Sequence, residues 1–143
     1  MKLISYTNTN IQGVCTIDDG FVPVMDHIND ICKKHDFTCI VTSSKRDSTL
    51  LKGAIVTPAQ MSNHLVGHAI DCNLQNNKTG EYFNSEKMKD RKGDDEAVIA
   101  EIQNTMIRWG GKFKDVDSVH FDSGLNLKNP EHWKLLHETF NSK

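Results

Sequence analysis

The segment "GHAIDCNL", residues 67–74, restricts the fold more than any other stretch of the chain. It is short and apolar, which is typical of a buried β-strand. The chain continues through the turn sequence "NNKTG" into "EYF" at residues 81–83. Asparagine and glycine favour a tight turn at this place, so the two segments are predicted to form a hairpin.

Two more strands and two helices follow from similar patterns. The segment "FTCIVTS", residues 37–43, is rich in β-branched residues and predicts a buried strand, and "SVHFD", residues 118–122, predicts a shorter one. Apolar residues at helical spacing predict a helix over about residues 20–35. The segment "NPEHWKLLHETF" predicts a closing helix with Pro130 near its first turn.

The middle of the chain is predicted to contain a loop and a long helix. The segment 87–96 is rich in charges and predicts a solvated loop. The next helix is predicted to begin at Asp94 or Asp95 and to end at the glycine pair 110–111. Its apolar face is formed by Val98, Ile102, Met106 and Trp109. Helices and strands together predict an α+β fold, and 143 residues suit one domain spanning residues 1–143.

The composition argues against several classes of function. Hydrophobic residues make up 37% of the chain, charged residues 25%, and the formal net charge is −2. Basic and acidic residues are interspersed, so no nucleic-acid partner is expected. No segment approaches the roughly 20 apolar residues of a membrane span, and no secretory signal is recognisable. We therefore expect a protein that does not insert into membranes and is synthesised in the cytoplasm. We also expect it to be a monomer. The four cysteines are interpreted as reduced core thiols.

A set of histidines and aspartates lies at predicted strand ends and in loops. His64 precedes Asp71 by seven residues, and Asp117 and His120 follow in "DSVH". Two neutral imidazoles and one carboxylate form the three-ligand shell of a catalytic zinc, although the same residues could instead be polar groups satisfied within a core or turn. His68 could replace either histidine, but alternate residues of a strand face opposite sides, so His68 is predicted to face away from Asp71.

Two motifs resemble those of a known enzyme family. The segment "SNHLVGHAID" is similar to the Ser-x-His-x-x-Gly-x-Ala-x-Asp signature of zinc peptidases, and "WGGKFKDVDSVHFD" resembles their second motif. This family includes D-alanyl-D-alanine carboxypeptidases and the L-alanyl-D-glutamate endopeptidases of phage endolysins. The resemblance implies the fold of the Hedgehog signalling domain, a small and mainly antiparallel sheet with packed helices.

The resemblance also implies roles for individual residues. His64, Asp71 and His120 would bind one Zn²⁺, and Asp117 would be the general base. Arg46, in "SSKR", matches an arginine that stabilises the substrate's carbonyl oxygen or a carboxylate, although the family more often has "SGYR" here.

Four further residues are assigned supporting roles. Ser62 is expected to cap or orient the loop of His64. Asp122 shares a strand face with His120 and could accept the proton of its imidazole. Trp109 is interpreted as a packing residue, with a place in the wall of the cleft as the alternative. Gly67 is expected to be small because a larger side chain would crowd the metal.

The function implied by the resemblance is zinc-dependent hydrolysis of peptidoglycan stem peptides. The aspartate at position 117 looks more like the endolysin members, which favours an L-alanyl-D-glutamate endopeptidase. The alternatives are a D-alanyl-D-alanine carboxypeptidase and a Hedgehog-like module that binds zinc without catalysis. An enzyme synthesised in the cytoplasm would reach the cell wall after lysis or by non-classical export.

Overall fold

In the part of the chain that the structure describes, the fold is mixed α and β, with two small sheets and five α-helices. A computed structural model describes residues 1–51 and 55–141. The strands are β1 (Leu3–Ser5), β2 (Ile11–Gln12), β3 (Thr16–Asp18), β4 (Phe37–Ser43), β5 (Ala69–Asn76), β6 (Tyr82–Phe83), β7 (Arg108–Trp109) and β8 (His120–Asp122). The helices are α1 (Val22–His35), α2 (Ser85–Asp90), α3 (Asp95–Gln103), α4 (Leu125–Lys128) and α5 (Pro130–Phe140).

The main sheet is built around β5. Strands β2, β4, β5, β8 and β7 lie side by side in that order, and β6 pairs with the second half of β5. The pair β2 and β4 is parallel, and the other pairs of this sheet are antiparallel. A separate antiparallel pair, β1 and β3, completes the strands. The mainly antiparallel α+β fold predicted from the sequence is confirmed.

The larger apolar core lies between this sheet and helices α1 and α3. Helix α1 buries Met25, Ile28 and Cys32, whose spacing of three and four residues places them on one face. A smaller cluster joins the segment around His64 to α5, and it contains Met61, Val66, Trp133 and Leu136. The larger cluster therefore supports the main sheet, and the smaller cluster supports the segment around His64.

Several elements predicted from sequence are present. The hairpin of β5 and β6, the strand at 37–43 and the closing helix agree with the prediction. Helix α1 follows a short 3₁₀ turn in which the N–H of Gly20 donates to the side chain of Asp18. Within the described residues, no helix has the length and apolar character needed to cross a membrane.

Two predictions about the middle of the chain are wrong. The loop predicted at 87–96 is confined to residues 91–94, because residues 87–90 belong to helix α2, which Asn84 caps and whose Met88 is buried against the core. Helix α3 ends at Gln103, so Trp109 lies on strand β7 and not on a helix. The predicted helix end at 110–111 is instead a 3₁₀ turn that follows β7.

Candidate metal centre

A 3₁₀ turn over Asn63–Val66 carries His64. Ser62 caps this turn, since its hydroxyl accepts the backbone N–H of His64 at 3.3 Å, as expected from the sequence. Gly67 ends the turn with φ +72°, and a Cβ at this position would collide with the backbone nitrogen of Asp18. Backbone conformation and this close approach therefore require the glycine, and the expectation that it is small to spare the metal is wrong.

The other two residues of the group lie on neighbouring strands. Asp71 of β5 and His120 of β8 are directly opposite each other in the antiparallel ladder. Side chains of such cross-strand partners lie on the same face of a sheet, so both reach toward His64. All three residues are buried, with 3%, 9% and 7% exposure for His64, Asp71 and His120.

Three possible ligand atoms converge at this place. The Nε2 atom of His64 lies 3.1 Å from Oδ1 of Asp71 and 3.2 Å from Nδ1 of His120, and this Nδ1 lies 3.4 Å from the same Oδ1. A tetrahedral zinc with bonds of about 2.0–2.1 Å separates its ligand atoms by about 3.3 Å. The group could therefore hold a metal ion.

Hydrogen bonds on the far side of each imidazole fix which of its two nitrogens faces inward. The Nδ1 atom of His64 lies 2.7 Å from the carbonyl oxygen of Ser44, which can only accept, so Nδ1 carries the hydrogen of the neutral ring. The Nε2 atom of His120 lies 2.6 Å from Oδ2 of Asp122, as expected for a carboxylate that accepts the proton of a ligand imidazole. With both rings neutral, two nitrogen lone pairs and a carboxylate oxygen face one another, which is a donor set that suits a cation. Without a cation, the raised pKa of His120 keeps a proton among these three atoms.

The carboxylates of the site are held in their charged form. Burial alone would raise the pKa of Asp71, but hydrogen bonds from His120 and His64 and the charge of Arg46 outweigh it and hold the pKa well below its ordinary range. Burial likewise opposes ionisation of Asp122, yet bonds from His120 and Arg108 lower its pKa to about 2. For His120 burial acts to lower the pKa, and the two carboxylates overcome it and raise the value to about 9.

Arg46 lies at the edge of this group. Its Nη2 atom donates to Oδ2 of Asp71 at 2.6 Å and its Nε atom to the hydroxyl of Ser43 at 2.9 Å. Its backbone N–H donates to the carbonyl oxygen of His64 at 2.9 Å, which ties the strand end to the His64 turn. About half of the side chain, 51%, is exposed, so the guanidinium is open to a substrate.

Asp117 lies on the turn that leads into β8. Its carbonyl oxygen accepts the backbone N–H of His120 at 3.1 Å, and its own N–H donates to the carbonyl of Gly110 at 2.9 Å. The residue is exposed, and it lines a shallow depression together with Ser85, Lys89 and Val116. The structure thus places Asp117 three residues before a ligand, with its carboxylate at the surface.

Other sequence candidates lie apart from the three ligand atoms. The Nε2 atom of His68 bonds to Asp18 at 2.8 Å and its Nδ1 to the hydroxyl of Ser123 at 3.1 Å, so its ring is used in the core. Trp109 is 5% exposed, and its indole N–H donates to the carbonyl of Ser118. Trp109 therefore packs in the core, as the first of its two sequence interpretations had it.

Two contributors escaped the sequence analysis. Ser44 acts through its backbone carbonyl, which no side-chain pattern reveals. Arg108 bonds to both oxygens of Asp122, at 2.7 and 2.8 Å. The only signal for Arg108 would have been a strand prediction at 108–109, because Arg108 is the cross-strand partner of Asp122.

The site is a group of three side chains that could hold a metal ion, carried by a strand pair and an adjacent turn. Residues 56–123, a little under half of the chain, match the model of a peptidase family described as D-alanyl-D-alanine carboxypeptidase. The matched segment contains all three ligand candidates and Asp117, so the family resemblance of the two motifs is confirmed. A search among curated proteins gives no match to the chain.

Proposed function

We propose that this chain is a zinc-dependent peptidase that hydrolyses peptidoglycan stem peptides at the bond between L-alanine and D-glutamate. The convergence of His64 Nε2, Asp71 Oδ1 and His120 Nδ1 at tetrahedral spacing, within a segment that matches a peptidase family, carries the proposal. We further propose that the enzyme acts on the cell wall after lysis or by non-classical export.

Nitrogen and carboxylate ligands in this number suit zinc, because catalytic zinc takes three protein ligands and keeps one position for solvent or substrate. When bound, zinc would supply the charge that acidifies a water molecule and polarises the scissile carbonyl. The hydrogen bonds of Ser44 and Asp122 orient the two imidazoles with their lone pairs inward. The protein thus prepares the site before the ion arrives.

Asp117 is the proposed general base. It takes the proton of the attacking water as the water oxygen bonds to the carbonyl carbon, and it delivers that proton to the amine as the C–N bond breaks. An exposed carboxylate on the turn before His120 suits this task, since it is free to meet water and is tied to a ligand through the backbone.

Arg46 is proposed to stabilise the negative charge that develops on the carbonyl oxygen. Its guanidinium is fixed by Asp71 and Ser43 yet half exposed, so little reorganisation is needed when the substrate binds. The bond to Asp71 also leaves Oδ1 of that carboxylate for the metal.

A Hedgehog-like module that binds zinc without catalysis is the less favoured function. A structural zinc site is closed by a fourth protein ligand. In the described ranges 1–51 and 55–141, the group of histidine, cysteine and acidic side chains that could hold a metal ends at three members. Asp117 is exposed on the turn before His120, where a general base can meet solvent, which favours the peptidase.

Two observations favour different bonds within the stem peptide. The aspartate at position 117 resembles the endolysin members and supports the endopeptidase. The description of the matching family model supports the D-alanyl-D-alanine carboxypeptidase as a second candidate. A carboxypeptidase must recognise a free terminal carboxylate, whereas an endopeptidase tolerates a blocked terminus.

The test is incubation of the zinc-loaded protein with muropeptides whose peptide termini are either free or amidated, followed by mass spectrometry. We expect both substrates to lose the stem peptide at the L-alanyl-D-glutamate bond. Release of D-alanine from the free substrate alone would identify the carboxypeptidase. The His64→Ala variant serves as the control for contaminating activity, and absence of cleavage with full zinc content would favour the non-catalytic module.

A further inference from the structure

A short chain of contacts runs from Arg108 to the imidazole of His120, at the nitrogen that faces away from the other two candidate ligands. Arg108 lies on β7, directly opposite Asp122 on β8. Its Nε atom donates to Oδ1 of Asp122 at 2.7 Å and its Nη2 to Oδ2 at 2.8 Å, a bidentate ion pair. The side chain of Asp122 is 2% exposed and that of Arg108 is 30% exposed.

The same carboxylate holds the imidazole of His120. Oδ2 of Asp122 accepts from Nε2 of His120 at 2.6 Å, and Oδ1 accepts the backbone N–H of Gly124 at 2.7 Å. Each oxygen of Asp122 therefore accepts two hydrogen bonds. A carboxylate held at this number of points cannot rotate without breaking several bonds, so the ring of His120 is held in one plane.

A second contact path joins the same two residues. The guanidinium carbon of Arg108 lies 5.0 Å from the ring centre of Phe113, which is within the range of a cation–π interaction. The Phe113 ring in turn lies 5.4 Å from the ring of His120, at an interplanar angle of 55°. Arg108 thus contacts both the carboxylate of Asp122, which bonds to the imidazole of His120, and the ring of Phe113, which packs beside that imidazole.

The charges of the site explain why an arginine is needed here. Two buried carboxylates, Asp71 and Asp122, lie next to the two imidazoles, and each has one arginine partner, Arg46 and Arg108. Without Arg108, Asp122 would be a buried carboxylate balanced only by His120 and a backbone N–H group. It would then rotate toward solvent and release its hold on the imidazole of His120.

We propose that Arg108 is a positioning residue that sets the affinity of the site for its metal by fixing His120 through Asp122 and Phe113. The inference rests on the metal-binding part of the proposed function and not on the identity of the peptide bond. An arginine in an ordinary surface ion pair behaves differently, because its removal leaves the affinity of the metal site unchanged.

The experiment measures the zinc dissociation constant, by competition with a chromophoric chelator, and the visible absorption spectrum of the cobalt(II)-substituted protein. We expect Arg108→Gln to raise the zinc dissociation constant by about 10- to 100-fold and to alter the cobalt spectrum, since ligand-supporting groups have effects of this size. Arg108→Lys keeps the charge but loses the bidentate fit, so we expect a smaller effect of the same sign.

Arg91 provides the matched control. It also lies over an aromatic ring, with its guanidinium carbon 5.1 Å from Trp109, and it also pairs with an acid, Glu96, at 2.8 Å. Its contacts do not include a ligand candidate. Arg91→Gln is therefore expected to leave the zinc dissociation constant within twofold of the wild-type value.

An unchanged constant and cobalt spectrum in a folded Arg108→Gln protein would overturn the proposal, because a merely structural arginine lowers the melting temperature without moving either quantity. If Arg108→Gln does not fold, the zinc dissociation constant and cobalt spectrum of Arg108→Lys are compared with those of the wild type instead, and unchanged values overturn the proposal. A wild-type chain that binds no zinc or cobalt would also refute it. A chain that binds zinc but cleaves no muropeptide would refute the proposed peptidase while leaving this measurement valid.

Discussion

Neighbouring groups decide which nitrogen each histidine of the candidate metal centre turns inward. His64 and His120 have identical side chains, yet His64 presents Nε2 and His120 presents Nδ1 to the centre. A backbone carbonyl selects the first nitrogen, and a carboxylate selects the second. The ligand set could be predicted from two sequence motifs, but the nitrogen that each histidine presents could not, because it depends on groups brought in by the fold.

Substitution of a ligand should remove the metal, whereas substitution of the neighbouring histidine should not. We expect His64→Ala, Asp71→Ala and His120→Ala to lose most of about one bound zinc per chain, because a three-ligand site cannot spare a ligand. His68→Ala should keep the zinc, since that ring bonds to Asp18 and Ser123, although it should be less stable. Metal analysis of the purified variants checks this, and zinc loss confined to His68→Ala would contradict the assignment.

Removal of the proposed base should separate catalysis from binding. Asp117→Asn is expected to keep zinc and fold, because the side chain is exposed, and to lose roughly 10²- to 10⁴-fold in turnover, the usual contribution of general-base catalysis. Hydrolysis of a muropeptide, measured at equal zinc content, provides the test. Asp115→Asn, an exposed aspartate on the same loop, is the control, and equal rates for both variants would place the base elsewhere.

At the scale of elements, helices and strands were predicted correctly where a single pattern of apolar residues covered the whole segment. Strand β4, the β5 and β6 hairpin and helix α5 each carry a pattern long enough to be read alone. The pattern from Val98 to Trp109 gave too long a helix, because apolar residues continue at helical spacing beyond Gln103, where helix α3 ends. Met106 has φ +67°, and the indole of Trp109 bonds across to Ser118, so tertiary contacts redirect the chain into β7.

The 3₁₀ turn that carries His64 depends on its terminal glycine. Gly67→Ala should destabilise the protein by about 1–3 kcal/mol, because a positive φ and contact with the backbone of β3 both oppose a side chain. We also expect weaker zinc binding, since the turn must shift. Gly80→Ala is the control, because its φ is +77° but its Cβ would have no neighbour within 4 Å. Chemical denaturation with zinc titration tests both, and equal effects on zinc affinity would contradict the argument.

Helix α3 begins with a carboxylate that lacks partners. Asp95 is fully buried, and within the described part of the chain neither of its oxygens accepts a hydrogen bond of good geometry. Burial raises its pKa and outweighs the opposing effect of the nearby backbone N–H groups of Asp95 and Gly93. A raised folded-state pKa means that the ionised form opposes folding at neutral pH, and that this penalty is relieved as the pH falls and the folded state takes up a proton.

Asp95→Asn should therefore be more stable than the wild type at pH 7, by about 1 kcal/mol, the scale of one unsatisfied buried group. The difference should shrink as the pH falls toward about 4, the pKa of an aspartate in the unfolded chain. Urea denaturation at several pH values measures it. Asp94→Asn, at an exposed neighbour, should change little, and a destabilised Asp95→Asn at pH 7 would show that the charge is favourable.

At the scale of the whole molecule, the metal centre joins the two apolar clusters. Strands β5 and β8 carry Ile70 and Phe121 into the larger cluster, while the His64 turn carries Val66 into the smaller one with α5. The candidate ligands lie on elements that pack into both clusters, so a bound ion would couple metal binding to the docking of one cluster on the other.

Zinc should accordingly stabilise the entire fold. A ligand that binds only the folded state at 100 times its dissociation constant adds about 2.7 kcal/mol to the free energy of unfolding. We expect the melting temperature to rise with zinc, to fall on chelation, and to be insensitive to zinc in His120→Ala. Calorimetry measures this, and an equal zinc response in the wild type and that variant would argue against the assigned ligands.

The pairing of β5 with β8 has a consequence for synthesis. The two strands meet although about fifty residues separate them, and the contacts around His120 extend to Gly124. A nascent chain whose residues 120–124 are still inside the ribosome has the first motif exposed but no second histidine to complete it. The three candidate ligands therefore stay apart throughout most of translation, and they meet only when the last part of the sheet has emerged and folded back onto a strand made much earlier.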